Sequence, residues 1–361
     1  MKKLRVGVIG LGRVAEVHLR GYQEVSKIEV VAGAEPRADR LAQMAGTWGF
    51  EGYTDYVEML QKEDMDIACI LTPTSFHRAV TEAAAEHGVH VLCEKPMALT
   101  VADARAMIDR CKAAGVKFYY GSSYRHLPAC RKAREIIEEG AIGDPLLLME
   151  TFVGGQGLAG WNPLNEYHYP SGGPGGGGMG MMDHGIHLAD ILPWLTRSEV
   201  AWVFGRGNLS GEPPRAEHLT MQLKNGAVGQ LVYCEATFPS DLPYEGIFGW
   251  GLSYRPDGSL SSEPGWENQP GSIRVHGTKG ALRIYHYANK LFHFTEERQG
   301  QVRVMDRPHP GNFGLQMESF ANSILRNEEP EVSGEDGLKA LQVILAAYES
   351  ALTQQAVIIG R

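Results

Sequence analysis

The sequence predicts an α/β protein, with a doubly wound parallel sheet in the first third and a second α/β domain after it. Three observations carry that reading. Short apolar strands alternate with helical stretches of roughly 10–15 residues as far as about Tyr120, the pattern of βαβ units. A glycine turn joins the first strand to the first helix. The strand Val91-Leu92-Cys93 ends abruptly at Glu94-Lys95-Pro96.

Leu4 to Ile9 is the first strand, Gly10-Leu11-Gly12-Arg13-Val14-Ala15 the turn, and a helical pattern runs on through Tyr22. Gly10 permits the tight turn, Gly12 lets backbone approach a pyrophosphate, and small Ala15 lets helix pack on strand. The free N–H groups of the helix start suit phosphate. A glycine turn can also be purely structural, but this one is followed by a second strand, Ile28 to Ala34, that ends in Glu35. An acid about 20 residues beyond the glycines is where ribose hydroxyls are gripped. Glu35 favours NAD, because a carboxylate repels the 2′-phosphate of NADP; nearby Arg13 and Arg37 keep NADP as the alternative.

Further units follow. Met65 to Leu71 is a strand, Thr72-Pro73-Thr74-Ser75-Phe76-His77 a loop, and a helix continues to Glu86. The loop lies at the same sheet edge as Gly10, so Thr72, Pro73 and His77 are expected to border the nicotinamide; for His77 a role within its own helix is the alternative. Proline lacks an N–H and holds the preceding residue extended, so the next strand must end at Lys95. That puts Lys95 at the carboxyl end of a strand, where open α/β sheets bind ligands. A helix from Thr100 to Ala114 and a strand from Val116 to Tyr120 complete the domain, 1–122, and 123–361 form the second.

The second domain opens with Tyr124 and Arg125, then an amphipathic helix from Ala129 to Glu139 stopped by Gly140. Ser171 to Gly180 holds seven glycines and runs straight into a helical pattern, Met181 to about Leu195. On an α-helix Asp183, His187 and Asp190 share one face, and an acid one turn from a histidine orients the ring and raises its pKa. An ordinary charged surface stripe is the competing reading. Strand-like stretches resume at Trp202–Phe204, His218–Leu223 and Gln230–Ala236, and Arg274 to Gly280 reads as strand–turn–strand. Trp161, Asn165, Tyr167 and His168 are pocket candidates; Trp250, Tyr254 and Trp266 lie in a long irregular stretch that suits sugar stacking or an oligomer contact. Asn312–Leu325 and Gly337–Leu352 are amphipathic helices expected to close this domain.

Composition sets the class. At 361 residues, 43% hydrophobic and 21% charged, the chain is an ordinary globular protein long enough for two cores. A net charge of -9 argues against nucleic acid or an anionic membrane as partner. Five cysteines without a CxxC pair fit reduced thiols rather than a disulfide framework or zinc site, and His184 near His187 lacks the pattern of a metal motif. Only Leu4 to Ile9 follow the basic Met1-Lys2-Lys3, too short for a secretory leader, so a cytoplasmic protein is expected.

The glycine turn, Glu94-Lys95-Pro96, the Asp183…His187 helix and the ending Val332-Ser333-Gly334-Glu335-Asp336-Gly337-Leu338 with Ala346-Ala347-Tyr348-Glu349-Ser350 together resemble the Gfo/Idh/MocA oxidoreductases over essentially the whole chain. The resemblance implies a Rossmann domain plus a C-terminal α/β domain with a large, mostly antiparallel open sheet that makes a homodimer or homotetramer. It implies NAD(P)-dependent oxidation of a ring carbon in a sugar, cyclitol or related polyol. By position, Lys95, Asp183 and His187 are the catalytic group, with Tyr124 and Arg125 beside the substrate and Glu94 at the cofactor. His184 departs from the pattern and either reads a substrate hydroxyl or fills space. Either His187 or Lys95 serves as general base. Relatives that keep NAD bound and cleave glycosides through transient oxidation, or a non-catalytic dinucleotide sensor, are the competing functions.

Overall fold

The computed structural model describes residues 3–153, 181–207, 217–234, 272–286, 289–302, 304 and 311–360. Contacts divide the chain into two units: Met1–Ser123 with His309–Leu341, and Tyr124–Pro308 with Gln342–Arg361.

The first unit is built on six parallel strands, β1 (Leu4–Ile9), β2 (Ile28–Ala34), β3 (Glu51–Tyr53), β4 (Ile67–Ile70), β5 (His90–Glu94) and β6 (Phe118–Gly121). Their spatial order is β3-β2-β1-β4-β5-β6, which reverses direction between β1 and β4. That reversal is the switch point where such sheets open a crevice at their carboxyl ends. Every residue of β4 and β6 is buried, the continuous apolar pattern of strands covered on both faces. The covering helices are α1 (Arg13–Gln23), α2 (Ala38–Trp48), α3 (Tyr56–Lys62), α4 (His77–Glu86) and α5 (Val101–Ala113). The Asp55 carboxylate caps α3 by accepting the Val57 N–H at 2.8 Å, and Thr100 caps α5 by accepting the Asp103 N–H at 3.1 Å. Elements α2, β3 and α3 lie in a stretch the sequence pattern left unassigned, because β3 is a three-residue edge strand with no apolar run.

The helix Gly311–Leu325 corrects the sequence reading, which grouped it with the C-terminal domain. It packs in the first unit against α1. A Cβ placed on Gly21 would lie 2.6 Å from the Gly314 nitrogen, so only glycine lets the two backbones come this close. Phe313 lies against His18, Phe320 against Tyr119, and Lys27 pairs with Glu318 at 2.8 Å.

The second unit carries a nine-stranded sheet from β7 (Pro145–Val153), β8 (Val200–Gly207), β9 (Glu217–Leu223), β10 (Val228–Cys234), β11 (Ser272–Gly277), β12 (Gly280–Tyr285), β13 (Lys290–Thr295), β14 (Gln299–Val302) and β15 (Val357–Ile358). The order is β14-β13-β12-β11-β7-β10-β9-β8-β15. Among the described strands β7 and β10 pair in parallel and the other neighbours antiparallel. Burial alternates along β9 as a one-sided sheet requires. Helix α6 (Pro128–Glu138), opened by a proline at its first position, packs on β12, β13 and α7 (Ile186–Thr196). Among the described residues no helix is long and apolar enough to cross a membrane.

Candidate functional site

In the first unit the site is shaped by backbone. Gly10 sits at φ +90°, and a Cβ there would lie 2.7 Å from the Thr72 nitrogen, so the turn after β1 is pressed against the loop after β4. Gly12 is the N-cap of α1 with no side chain capping it, and a Cβ there would meet nothing within 4 Å. The helix start therefore has clear space beside it, as an anion needs. Arg13 and Val14 begin the helix, Arg13 exposed, and Ala15 is buried beneath it. The Arg40 guanidinium donates to the carbonyls of Leu11 at 2.7 Å and Gly12 at 3.2 Å and to the Glu16 carboxylate at 2.7 Å. This brace joins residues 29 and 28 positions apart, which no local motif signals.

Glu35 is buried at the end of β2, accepting the Leu11 N–H at 3.2 Å and the Arg37 Nε–H at 2.7 Å. Burial works to raise its carboxyl pKa, but the hydrogen bonds from Arg37 and from the Leu11 and Arg37 backbone outweigh it and hold the pKa below the usual value. The group is thus a fixed carboxylate beside the glycine turn, where ribose hydroxyls are read. The Thr72 hydroxyl is buried with no hydrogen-bond partner among the described residues, a polar atom left for a ligand at the turn. Pro73 follows it and caps the short turn Thr74–Phe76. These features fit a dinucleotide.

His77 is buried, its Nε2 2.9 Å from the Thr72 carbonyl and its Nδ1 3.0 Å from the Pro96 carbonyl. Burial lowers its pKa despite those carbonyls. The ring ties the loop after β4 to the loop after β5. Lys95 stands half-buried at the end of β5, before a cis Lys95–Pro96 peptide, and its backbone N–H donates to Glu94 Oε2 at 3.0 Å.

In the second unit side chains do the positioning. Tyr124 is buried and stacks face to face on His187, ring centroids 4.1 Å apart and 8° from parallel. His286 and His184 flank the same tyrosine at 4.7 and 6.3 Å. Arg125 and Asp190 form a buried bidentate pair, Arg125 Nε donating to Oδ2 at 2.8 Å and Nη2 to Oδ1. Arg125 and Asp190 therefore brace the site through each other.

The helix that carries Asp183 and His187 departs from the sequence expectation. Met181–Gly185 is a π turn and only Ile186 onward is α-helical, so Asp183 lies on the wider winding while His187 and Asp190 lie on the regular helix. Its first N–H groups are capped from afar: Met181 N–H donates to Glu217 Oε2 at 2.9 Å, and Met182 N–H to the Tyr348 hydroxyl at 3.1 Å. His184, which the family pattern left unmapped, is buried with Nε2 2.7 Å from Glu150 Oε2. Burial works to raise the Glu150 carboxyl, and His184 and His286 outweigh it and hold it below the usual value. Burial drives the His286 imidazole down to about 4 against the pull of Glu150. Among the described residues no cluster of histidine, cysteine or carboxylate groups is arranged to hold a metal. Trp161, Asn165, Tyr167, His168, the glycine run, Trp250, Tyr254 and Trp266 lie outside the described residues.

Comparison with known proteins places both parts of the chain. Residues 4–122 match the model of an oxidoreductase family with an NAD-binding Rossmann fold, and residues 134–359 match that family's C-terminal alpha/beta domain. The chain is 31% identical to a scyllo-inositol 2-dehydrogenase (NAD(+)) of Bacillus subtilis over 96% of this chain and 94% of that protein. It is 28% identical to D-apiose dehydrogenase of Paraburkholderia graminis, covering 97% and 88%. The structure of aldose-aldose oxidoreductase from Caulobacter crescentus, complexed with glycerol, superposes with a TM-score of 0.81 at 25% identity, covering 99% of this chain and 100% of that one.

Proposed function

Because the chain belongs to the Gfo/Idh/MocA oxidoreductase family, we propose that it moves a hydride between a ring secondary hydroxyl of a sugar, cyclitol or related polyol and the nicotinamide of NAD. The observation that carries this reading is Lys95, held at the carboxyl end of β5 on the same sheet edge as the Gly10 turn. The relatives' own substrates, an inositol and an apiose, support the substrate class.

Gly10, Gly12, Arg13, Val14 and Ala15 hold the pyrophosphate against the start of α1, and Glu35, fixed by Arg37, takes the adenosine ribose hydroxyls. A carboxylate there disfavours a 2′-phosphate. Thr72 and Pro73 border the nicotinamide side, with His77 and Glu94 locking their loops. NAD, when bound, supplies the carbon that accepts the hydride. His187 removes the proton from the reacting hydroxyl as the hydride leaves the carbon. Tyr124, stacked on that imidazole, keeps its plane, and Asp183 stabilises the imidazolium. The Lys95 ammonium hydrogen-bonds the same oxygen and stabilises the negative charge that develops there. The products are the ring ketone, NADH and a proton passed from His187 to water. Arg125 acts beside the substrate by holding Asp190, and His184 lies on the substrate side of the same group.

The protein is proposed to work in the cytoplasm as a homo-oligomer through the C-terminal sheet. Buried free thiols at Cys69, Cys93, Cys111 and Cys130 suit a reducing compartment. Exposed Leu146, Phe294 and Ile358 on β7, β13 and β15 suit a covered sheet. Light scattering on the purified protein gives the oligomer directly; a monomer at micromolar concentration refutes that part.

The test of the reaction is the reduced-nicotinamide absorbance band, followed with NAD or NADP against a panel of sugars and cyclitols. Substrate-dependent growth of the band with NAD is expected. Glycoside cleavage without any such growth would instead make the protein a transient-oxidation hydrolase.

A further inference from the structure

Behind Lys95 runs a buried chain of polar side chains, of which the mechanism above uses only Glu94. The Cys69 thiol on β4 lies 2.9 Å from the Tyr22 hydroxyl on α1. That hydroxyl lies 2.9 Å from Nδ1 of His18, one turn earlier on the same helix. Nε2 of His18 is 2.9 Å from Glu94 Oε1, and the other Glu94 oxygen accepts the Lys95 backbone N–H at 3.0 Å. His18 and Cys69 are wholly buried, Tyr22 and Glu94 nearly so. Phe313 closes the far side of the imidazole, its ring centroid 4.2 Å away.

We propose that His18 is a positioning residue: by donating from Nε2 it holds Glu94 as a carboxylate, and through Glu94 it fixes the backbone of Lys95 to the helix that carries the cofactor turn. The direction of the chain follows from its ends. Glu94 Oε2 accepts the Lys95 N–H, and an ionised carboxylate offers only acceptors, so with Glu94 ionised the proton between it and His18 sits on Nε2. At the other end, burial raises the Tyr22 and Cys69 pKa values well above their usual range, so both stay protonated and neither offers an anion to compete with Glu94. Cys93 and His77 are the other titratable groups that sense Glu94. Without the His18 donor the buried Glu94 carboxylate keeps one hydrogen bond fewer, and the Lys95 loop loses an anchor. One imidazole thus links the helix that carries the cofactor turn to the Lys95 backbone by way of Glu94.

The proposal rests on the hydride-transfer reading only for its kinetic consequence. The test is therefore in two arms. Nitrogen NMR of histidine-labelled wild-type protein at about neutral pH, assigned with His18→Gln, is expected to show His18 protonated at Nε2. A ring protonated at Nδ1 alone would reverse the chain and overturn the proposal whatever the enzyme does. In the kinetic arm His18→Leu is expected to lower kcat roughly 100-fold, the cost of misplacing a reacting group by about an ångström. KM for NAD changes little. His18→Gln, which keeps a donor for Glu94 and an acceptor for Tyr22, restores most of the rate. Wild-type kcat in His18→Leu, or equal losses in both variants, would overturn it. Should His18→Leu fail to fold, His18→Gln is compared with Tyr22→Phe, which leaves the donor to Glu94 in place: both are expected to keep most of the rate, and a loss in either as large as that expected of His18→Leu would overturn the proposal. If wild type turns over no substrate, the hydride reading fails and the nitrogen spectrum still decides the chain.

Discussion

The first unit holds its candidate site with backbone, and the second holds its own with buried charges. Around Gly10 and Gly12 the shape comes from a left-handed turn, a helix start and strand ends, and the side chains mainly brace that frame. Around Tyr124 and His187 the shape comes from pairs drawn together across the fold. Arg125 meets Asp190 65 residues away, and His184 meets Glu150 34 residues away. Losing an exposed side-chain brace from a backbone-built frame is expected to cost little stability, whereas breaking a buried ion pair is expected to cost much more.

The sharpest way to break the comparison is to remove the reacting groups. Lys95→Ala and His187→Ala are each expected to lower kcat by about 10²–10⁴-fold, the range spanned by charge-stabilising and general acid–base groups, while thermal melts of Lys95→Ala stay near wild type. Steady-state kinetics beside melting curves decide this; a variant with wild-type kcat removes that residue from the mechanism.

Next in size is the Arg125–Asp190 pair. Asp190→Ala removes the carboxylate that pairs with the buried Arg125 guanidinium, and breaking such a pair typically costs about 3–5 kcal/mol. Denaturant unfolding is expected to show that loss. A matching change in the first unit, Arg37→Ala, removes an exposed partner of Glu35 and is expected to cost under about 1 kcal/mol. Equal losses would end the distinction between the units.

Acid provides a third contrast. His286 titrates at about 4 in the folded chain, below the roughly 6.5 of an unfolded histidine. Its folded pKa is depressed, so its contribution to stability is full above about 6.5 and is lost as pH falls toward about 4. Glu150, also depressed, adds to the loss at the acid end. Melting temperature should therefore fall across that window, and His286→Leu should flatten the fall. An unchanged slope in the variant would remove His286 from the account.

The smallest effect expected is on cofactor choice. Glu35→Ser removes the carboxylate that repels a 2′-phosphate and should narrow the NAD preference by about tenfold, roughly 1.4 kcal/mol. Ratios of kcat/KM with NAD and NADP measure it, and an unchanged ratio would place cofactor selection elsewhere.

The same contrast explains what was legible in the sequence. Gly10, Gly12, Glu35 and Lys95 were found because each marks a local necessity: a turn, a helix start, a strand end. The paired strands of the C-terminal sheet are partly visible in sequence, but β14, Gln299–Val302, has no apolar run that separates it from loop. The helix Gly311–Leu325 read as amphipathic, yet nothing local says that its partner is α1, some 290 residues earlier. Arg40, Glu150, His18 and Tyr348 act on groups distant in sequence, so no spacing rule reaches them. The π turn at Met181–Gly185 escaped for another reason: composition sets helix, and caps from Glu217 and Tyr348 accompany this winding. His184 stands out in the sequence only as a departure from the family pattern, and its partner Glu150 lies 34 residues away.

The most direct test uses a substrate found in the panel, carrying deuterium on the reacting ring carbon, with mass analysis of the nicotinamide after turnover. Hydride transfer predicts that the label appears in the reduced nicotinamide of wild type and that both label and turnover fall together in Lys95→Ala and His187→Ala. Turnover that leaves the nicotinamide unlabelled would contradict the account.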